Sequence, residues 1–287
     1  MIVCEPTSGL TSRSYVLADA YALAKKYGQK LIVIWQKTSD CNCFYEEVFD
    51  QEQFSDIPHR IYNCNKFEYK INELKQEGGA RSLFMIGREA LVRVSFLIRY
   101  HFLTGMYKRL CAVHKNSYQD GNALFPEEEA RGKSCYFEAY NCITGRGDLQ
   151  QIRFHWKDLE EAKEILGGKE AHCVGVHIRR TDHGPAISGS PTERFVEEIR
   201  RRIEEDPQAC FYLATDDWDE QRKMEGLFGG RILSQKGKVL NRSSKEGMHS
   251  SVIDVLCLSR TKLILGSHSS IFSKFSAEYG NIELHVV

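Results

Sequence analysis

The chain has 287 residues, and its 39 Lys and Arg balance 39 Asp and Glu, so the formal net charge is zero. That balance excludes a general polyanion binder, and we expect no nucleic-acid partner. No run of about 18 apolar residues occurs, which excludes a transmembrane segment, while 42% hydrophobic and 11% aromatic content supports the core of one large or two ordinary domains.

The amino terminus has no basic segment followed by an apolar one, so no secretory leader is expected and the predicted location is cytoplasmic. Residues 6–14 read as a loop centred on Gly9-Leu10-Thr11-Ser12-Arg13. A helix follows, with Val16, Ala20, Leu23 and Tyr27 on one stripe, Thr11 or Ser12 as its cap and Gly28 at its end. Residues 31–35 are a continuous apolar strand, and loop, helix and strand in that order open a doubly wound domain. Residues 37–70 read as irregular and aromatic-rich. They include Cys41-Asn42-Cys43 and Cys64, but no pair of CxxC knuckles, so no metal site is expected. The other cysteines are scattered, several in apolar runs (Cys173, Cys210, Cys257), as buried free thiols in a reducing compartment would be.

Residues 83–86 read as a short strand, and residues 88–110 as a basic and apolar helix; a membrane-surface helix is the alternative, but its charges do not keep to one face, and a helix against the core is the expectation. A polar stretch with Glu127-Glu128-Glu129 leads to a strand at 136–140 and a turn or linker at Gly145-Arg146-Gly147-Asp148. A helix at 158–166 ends at Gly167-Gly168. The domain boundary is placed near here, giving domains 1–160 and 161–287.

The second half has a clearer rhythm. A strand at 173–178 puts His177 and Arg179 on one face, about 6.6 Å apart along the chain. It runs into a polar loop carrying Arg180, Thr181, Asp182 and His183. Ser190-Pro191-Thr192-Glu193 reads as a capping box with Pro at the first helical position. The following helix turns Phe195, Val196, Ile199 and Ile203 inward. A strand at 211–214 ends at Thr215-Asp216-Asp217, and Asp217 with Glu220 forms a second capping box. An apolar helix at 251–258 holds one carboxylate, Asp254. A strand at 263–265 leads through Gly266-Ser267-His268-Ser269-Ser270 into a helix ending at Gly280, and a final strand covers 283–287. Alternating strands and helices with short connections predict an α/β fold with parallel sheets, arranged as two Rossmann-like doubly wound domains facing a cleft.

Ligands of such sheets bind outside the carboxyl ends of the strands. Three strand ends there offer chemistry: His177/Arg179/Arg180/Asp182, Asp216/Asp217 and Ser267/Ser269/Ser270. The Ser-rich turn opens a helix, so hydroxyls and free amides could hold an anion, and Arg179 adds a planar, bidentate cation suited to phosphate. Asp254 needs a hydrogen-bond donor in its apolar setting. The amidine edge of guanine would supply two; Arg260 or a backbone amide would serve equally.

His177-Ile178-Arg179-Arg180-Thr181-Asp182, Ala214-Thr215-Asp216-Asp217, Asp254 with Leu258-Ser259, and Ser267-His268-Ser269-Ser270 follow one another as in the alpha-1,6-fucosyltransferase and protein O-fucosyltransferase superfamily, which includes the rhizobial chito-oligosaccharide fucosyltransferases. The Gly9-Leu10-x-x-Arg13 loop resembles its amino-terminal segment. The resemblance covers residues 1–35 and 172–280 and is weak or absent over 37–165. It implies a GT-B-like fold and an inverting glycosyltransferase with GDP-fucose as donor substrate, no metal or other cofactor, and a glycan or glycolipid acceptor. It places Arg179 at the leaving diphosphate, helped by His177, Arg180, Ser267, Ser269 and Ser270. Asp254 would read guanine, Asp216 and Asp217 would shape the pocket, and Gly9 and Arg13 would lie on the acceptor side. One departure stands out. The resemblance implies, from the eukaryotic core enzyme, a glutamate base a few residues after the Arg-Arg pair, where this chain reads His183-Gly184-Pro185-Ala186-Ile187. Asp182 or His183 would then be the general base. Two other readings remain open: a catalytically silent nucleotide-sugar binding protein, and a metal-dependent phosphohydrolase using Asp216, Asp217 and His177.

Overall fold

The computed structural model describes residues 1–65, 83–116, 124–181 and 184–287. The chain divides into two units, Met1–Arg153 with Arg242–Lys245, and Phe154–Asn241 with Glu246–Val287. Each is built on a five-stranded sheet in which every strand pair is parallel.

In unit one the strands are β1 (Ile2–Pro6), β2 (Leu31–Lys37), β3 (His59–Asn65), β4 (Ala112–Lys115) and β5 (Cys135–Ala139), in the order β3-β2-β1-β5-β4. Helix α1 (Leu10–Lys26) joins β1 to β2, and α2 (Leu83–Leu110) precedes β4. Val3, Ile32, Ile34 and Tyr136 pack against Tyr100, Leu103 and Tyr107 of α2. Several sequence expectations change here. Residues 2–6, within and before the expected loop, form the central strand. Residues 59–65, expected to be irregular, form β3. Residues 83–86 are the first turn of α2, not a strand; a short apolar run fits either period, and Gly87, which reads as a break after it, is carried inside the helix. Thr11 and Ser12 lie inside α1, whose N-cap is Gly9. The Ser12 hydroxyl instead donates to Asn141.

Unit two contains α3 (Trp156–Leu166), β6 (Cys173–Ile178), α4 (Gly184–Gly189), α5 (Thr192–Glu205), β7 (Cys210–Thr215), α6 (Trp218–Phe228) and β8 (Ile232–Leu233). It continues with α7 (Lys245–Leu258), β9 (Leu263–Gly266), α8 (Ile271–Gly280) and β10 (Glu283–Val286), and the sheet order is β10-β9-β6-β7-β8. Val174, Val176 and Ile178 meet Phe195, Ile199, Phe211 and Leu213 in its core. Gly167 ends α3 in the left-handed region, as its sequence predicts. The Ser190 capping box does not form. Pro191 is the N-cap of α5, and the Ser190 hydroxyl donates to the Val287 carbonyl while accepting the His268 amide. At α6 half of the expected box is present: Asp217 accepts the Glu220 amide, while the Glu220 carboxylate accepts the Thr192 hydroxyl at 2.7 Å.

In both sheets the strand order reverses beside the central strand. From β6 the chain moves outward to β7 and β8, then returns to place β9 on the other flank of β6. From β1 it moves to β2 and β3, and later places β5 on the opposite flank. Such a reversal opens a crevice at the carboxyl ends of the two diverging strands, where α/β sheets bind ligands. All 10 cysteines are free thiols. Among the described residues no helix is long and apolar enough to cross a membrane, and no three His, Cys, Asp or Glu side chains group to hold a metal ion.

Candidate functional site

The reversal in unit two lies between β6 and β9, and both strand ends carry residues singled out from the sequence. Gly175, Val176 and His177 of β6 pair with Ile264, Leu265 and Gly266 of β9, so the Arg179 loop and the Ser267–Ser270 turn leave the sheet side by side. Ser267 joins them. Its hydroxyl accepts the Arg179 amide at 3.0 Å and donates to the His177 carbonyl at 3.2 Å. Ser270 is the N-cap of α8, and its side chain makes no capping bond. Its hydroxyl lies 3.4 Å from His177 Nδ1. Ser269 is exposed and left-handed, with φ 54°, and its hydroxyl reaches His268 Nδ1 at 3.0 Å.

His177 is buried and stacks on Phe272, ring centroids 4.9 Å apart. Burial, and then the neighbouring Arg179 charge, lower its pKa to about 3, so the ring is neutral at physiological pH. It serves as a fixed polar wall and not as a cation. Arg179 is the cation at this edge. About a fifth of its side chain is exposed (21%), and its Nε lies 4.0 Å from Asp216.

Asp216, at the end of β7, braces the loop beyond β6. Its carboxylate accepts the Arg180 amide at 2.7 Å and the Thr181 hydroxyl at 2.6 Å. Burial pushes its pKa up, but the Thr181 and Arg180 bonds and the Arg179 charge outweigh that and hold it below the usual range. Arg180 is engaged elsewhere: it donates to the Arg179 carbonyl and to Thr192 Oγ1, and its Nε lies 3.5 Å from Glu220. Asp217 caps α6.

Asp254 has found its donors, and neither Arg260 nor a backbone amide is among those seen. Lys238 Nζ sits 2.6 Å from Oδ2, with both side chains over nine-tenths buried. The Tyr212 hydroxyl and Gln235 Nε2 donate to Oδ1 at 2.7 and 2.8 Å. Lys238 also donates to the Thr215 carbonyl at 3.0 Å, which links Asp254 to the end of β7 beside Asp216. Arg260 is turned to the Leu256 carbonyl. Sequence reading flagged the need of Asp254 for a partner but missed Lys238, which lies in a loop between β8 and α7 with no pattern of its own.

Unit one presents the other two candidates. Gly9 is the N-cap of α1. The Arg13 guanidinium is fully buried, bonded to the Ser8 and Gln36 carbonyls and to Thr38 Oγ1, with its carbon 4.8 Å from the Trp35 ring centroid. It holds the loop after β1 against the end of β2. On the opposite flank of β1, Asp19 gathers five consecutive backbone amides, Ile143 to Gly147, at 2.6–2.9 Å, together with the Thr144 hydroxyl. Gly147 is required there, because a Cβ would come within 2.4 Å of the α1 backbone at Ala18 and Asp19. Asp182 and His183 lie outside the described residues.

No family model matches the sequence, and no curated protein is similar to it. Its fold does match solved structures. A NodZ alpha-1,6-fucosyltransferase soaked with GDP-fucose superposes with a TM-score of 0.57 at 16% identity, covering 96% of this chain and 91% of that one. Fucosyltransferase NodZ from Bradyrhizobium gives 0.56 at 17% identity over 96% and 91%. POFUT1 in complex with GDP gives 0.55 at 11% identity over 98% and 96%. The likeness in fold covers 96% of the chain, whereas the sequence motifs are weak or absent over 37–165. This chain therefore has the α/β, GT-B-like fold of solved fucosyltransferases, with two parallel sheets.

Proposed function

We propose that the protein is an inverting, metal-independent glycosyltransferase that moves fucose from GDP-fucose to a glycan or glycolipid acceptor in the cytoplasm. The observation that carries this is the reversal between β6 and β9, where an arginine and a serine-rich helix N-terminus flank one crevice. A diphosphate leaving group gains negative charge as the glycosidic bond breaks, so a fixed cation and preorganised amides there stabilise the transition state. Arg179 supplies the cation. His177, Ser267, Ser269 and Ser270 shape the amide turn, and Asp216 holds the Arg179–Thr181 segment through its backbone. Arg180 and Asp217 support the same pocket through α5 and α6. Asp254, oriented by Lys238, Tyr212 and Gln235, would accept one N–H of guanine with the lone pair these three donors leave on Oδ2. Residues 161–287 bind the nucleotide sugar, and residues 1–160 face the acceptor with the loop of Gly9 and Arg13. Asp182 or His183, immediately after Thr181 in sequence, acts as the general base. That this fold occurs with GDP-fucose in NodZ and with GDP in POFUT1 supports the reading.

The test is a thermal-shift comparison of GDP, GDP-fucose, UDP and ADP, with and without EDTA, followed by GDP release with candidate acceptors. Guanine nucleotides should stabilise the protein whether or not EDTA is present. Indifference to every guanine nucleotide would sink the proposal. Binding with no GDP release over a wide acceptor panel would favour a silent nucleotide-sugar binding protein. A response that needs magnesium would favour a phosphohydrolase, although Asp216 and Asp217 already accept backbone amides.

A further inference from the structure

Helix α2 buries one face, where Tyr100, Leu103 and Tyr107 enter the core of unit one. Its opposite face is also apolar, and it is bare. Leu91, Val94, Ile98 and Phe102 are 73%, 42%, 64% and 68% exposed. Their spacing of three, seven and eleven residues from Leu91 puts them on one stripe about three turns long. A helix with two apolar faces needs two apolar environments, and unit one supplies one. A contiguous exposed stripe of this kind marks an interaction surface.

The charge on α2 identifies the occupant. Its sequence carries five basic residues, Arg88, Arg93, Arg99, Lys108 and Arg109, against a single acid, Glu89; Lys108 pairs with Glu138 and Glu5 of unit one, which leaves the arginines as the source of the excess. Arg99 and Arg109 are exposed. Arg109 lies five turns beyond Leu91, on the axis of the stripe. The whole chain is neutral, so this excess is local. A second copy seated on the same stripe would set this basic helix against itself, which like-charge repulsion opposes. A surface that is apolar within and negative at its rim matches both features, and that is a bilayer of anionic lipid. We propose that the Leu91–Phe102 face of α2 seats the protein on the surface of an anionic membrane. The four apolar side chains enter the headgroup boundary, and Arg99 and Arg109 meet lipid phosphates.

The experiment is flotation of the full chain with vesicles of phosphatidylcholine alone, or of phosphatidylcholine with phosphatidylglycerol, at low and high salt. Binding to the anionic vesicles should exceed binding to the neutral ones, and salt should weaken it. The double variant Ile98→Glu/Phe102→Glu should bind roughly tenfold more weakly, with an unchanged circular dichroism spectrum. Arg109→Glu, a milder change, should also weaken binding, which keeps the test valid if the double variant does not fold. Failure to float, equal binding to both vesicles, or wild-type binding by the variants would overturn the proposal. So would light scattering that shows a dimer converted to monomer by the same variants, since the stripe would then be a self-contact.

Discussion

Replacing Lys238 by methionine removes one half of the ion pair that orients Asp254. At 2.6 Å, with side chains only 4% and 8% exposed, two unit charges attract by about 6 kcal/mol at an effective dielectric constant near 20. Desolvating each ion costs several kcal/mol, so the intact pair adds little net stability. Breaking it is another matter. Lys238→Met leaves a carboxylate buried with only Tyr212 and Gln235 as donors, and the expected loss is about 3–5 kcal/mol. Asp254→Asn keeps the oxygen that accepts from Tyr212 and Gln235 but strands the ammonium, with a similar cost. The double variant leaves no buried charge, and its loss should fall short of the sum of the single losses by about 2 kcal/mol or more. Urea unfolding followed by circular dichroism measures the losses, and hydrogen exchange at β6 and β7 amides reports unit two by itself. A Lys238→Met loss below about 1 kcal/mol, or additive single variants, would refute the reasoning.

Arg179→Ala should abolish turnover while the circular dichroism spectrum and unfolding midpoint stay unchanged; unaltered GDP release would remove Arg179 from the mechanism. Asp19→Ala should cost about 3–5 kcal/mol by urea unfolding, because it orphans five clustered amides, and a loss below about 1 kcal/mol would show that water satisfies them. His177 is held neutral in the fold with a pKa near 3, whereas the unfolded ring titrates near 6.5. Between those values the unfolded chain binds the extra proton, so stability falls as pH drops. From pH 7 to pH 5 the loss from this group is about 2 kcal/mol, and His177→Gln should remove that part of the pH dependence of urea unfolding.

Strands and helices of unit two were legible because their signals are local. Residues 173–178 alternate or run apolar as a central strand must, and the turn residues that bound them are polar. Unit one was harder for a physical reason. Its central strand β1 is only five residues long, too few to establish a period. Residues 83–86 carry a period too short to separate strand from helix, and the continuous chain into α2 decides the matter. The grouping of His177, Arg179, Asp216 and the serine turn follows from parallel topology, which the strand–helix rhythm revealed. The partners did not. Lys238 and Asp254, Glu220 and Thr192, and Asp19 and residues 143–147 meet only through tertiary contacts. The hydroxyl of Ser190 shows the limit well: a strong local capping signal lost to a carbonyl far along the chain, at Val287.

The reversal of strand order has a consequence for how the protein assembles. Ile2 pairs with Leu31 on one flank of β1 and with Cys135 on the other. Val176 pairs likewise with Leu213 nearby and Leu265 far along the chain. The near pairings can form early in folding, and the distant ones wait on the closure of long loops. Until they do, β1 and β6 are edge strands whose residues, all buried in the finished sheets, offer open ladders to other chains. The seam that closes last in unit two is the one flanked by Arg179 and Ser267. A ligand bound there would act as a staple across the slowest join, and should raise refolding yield as well as stability.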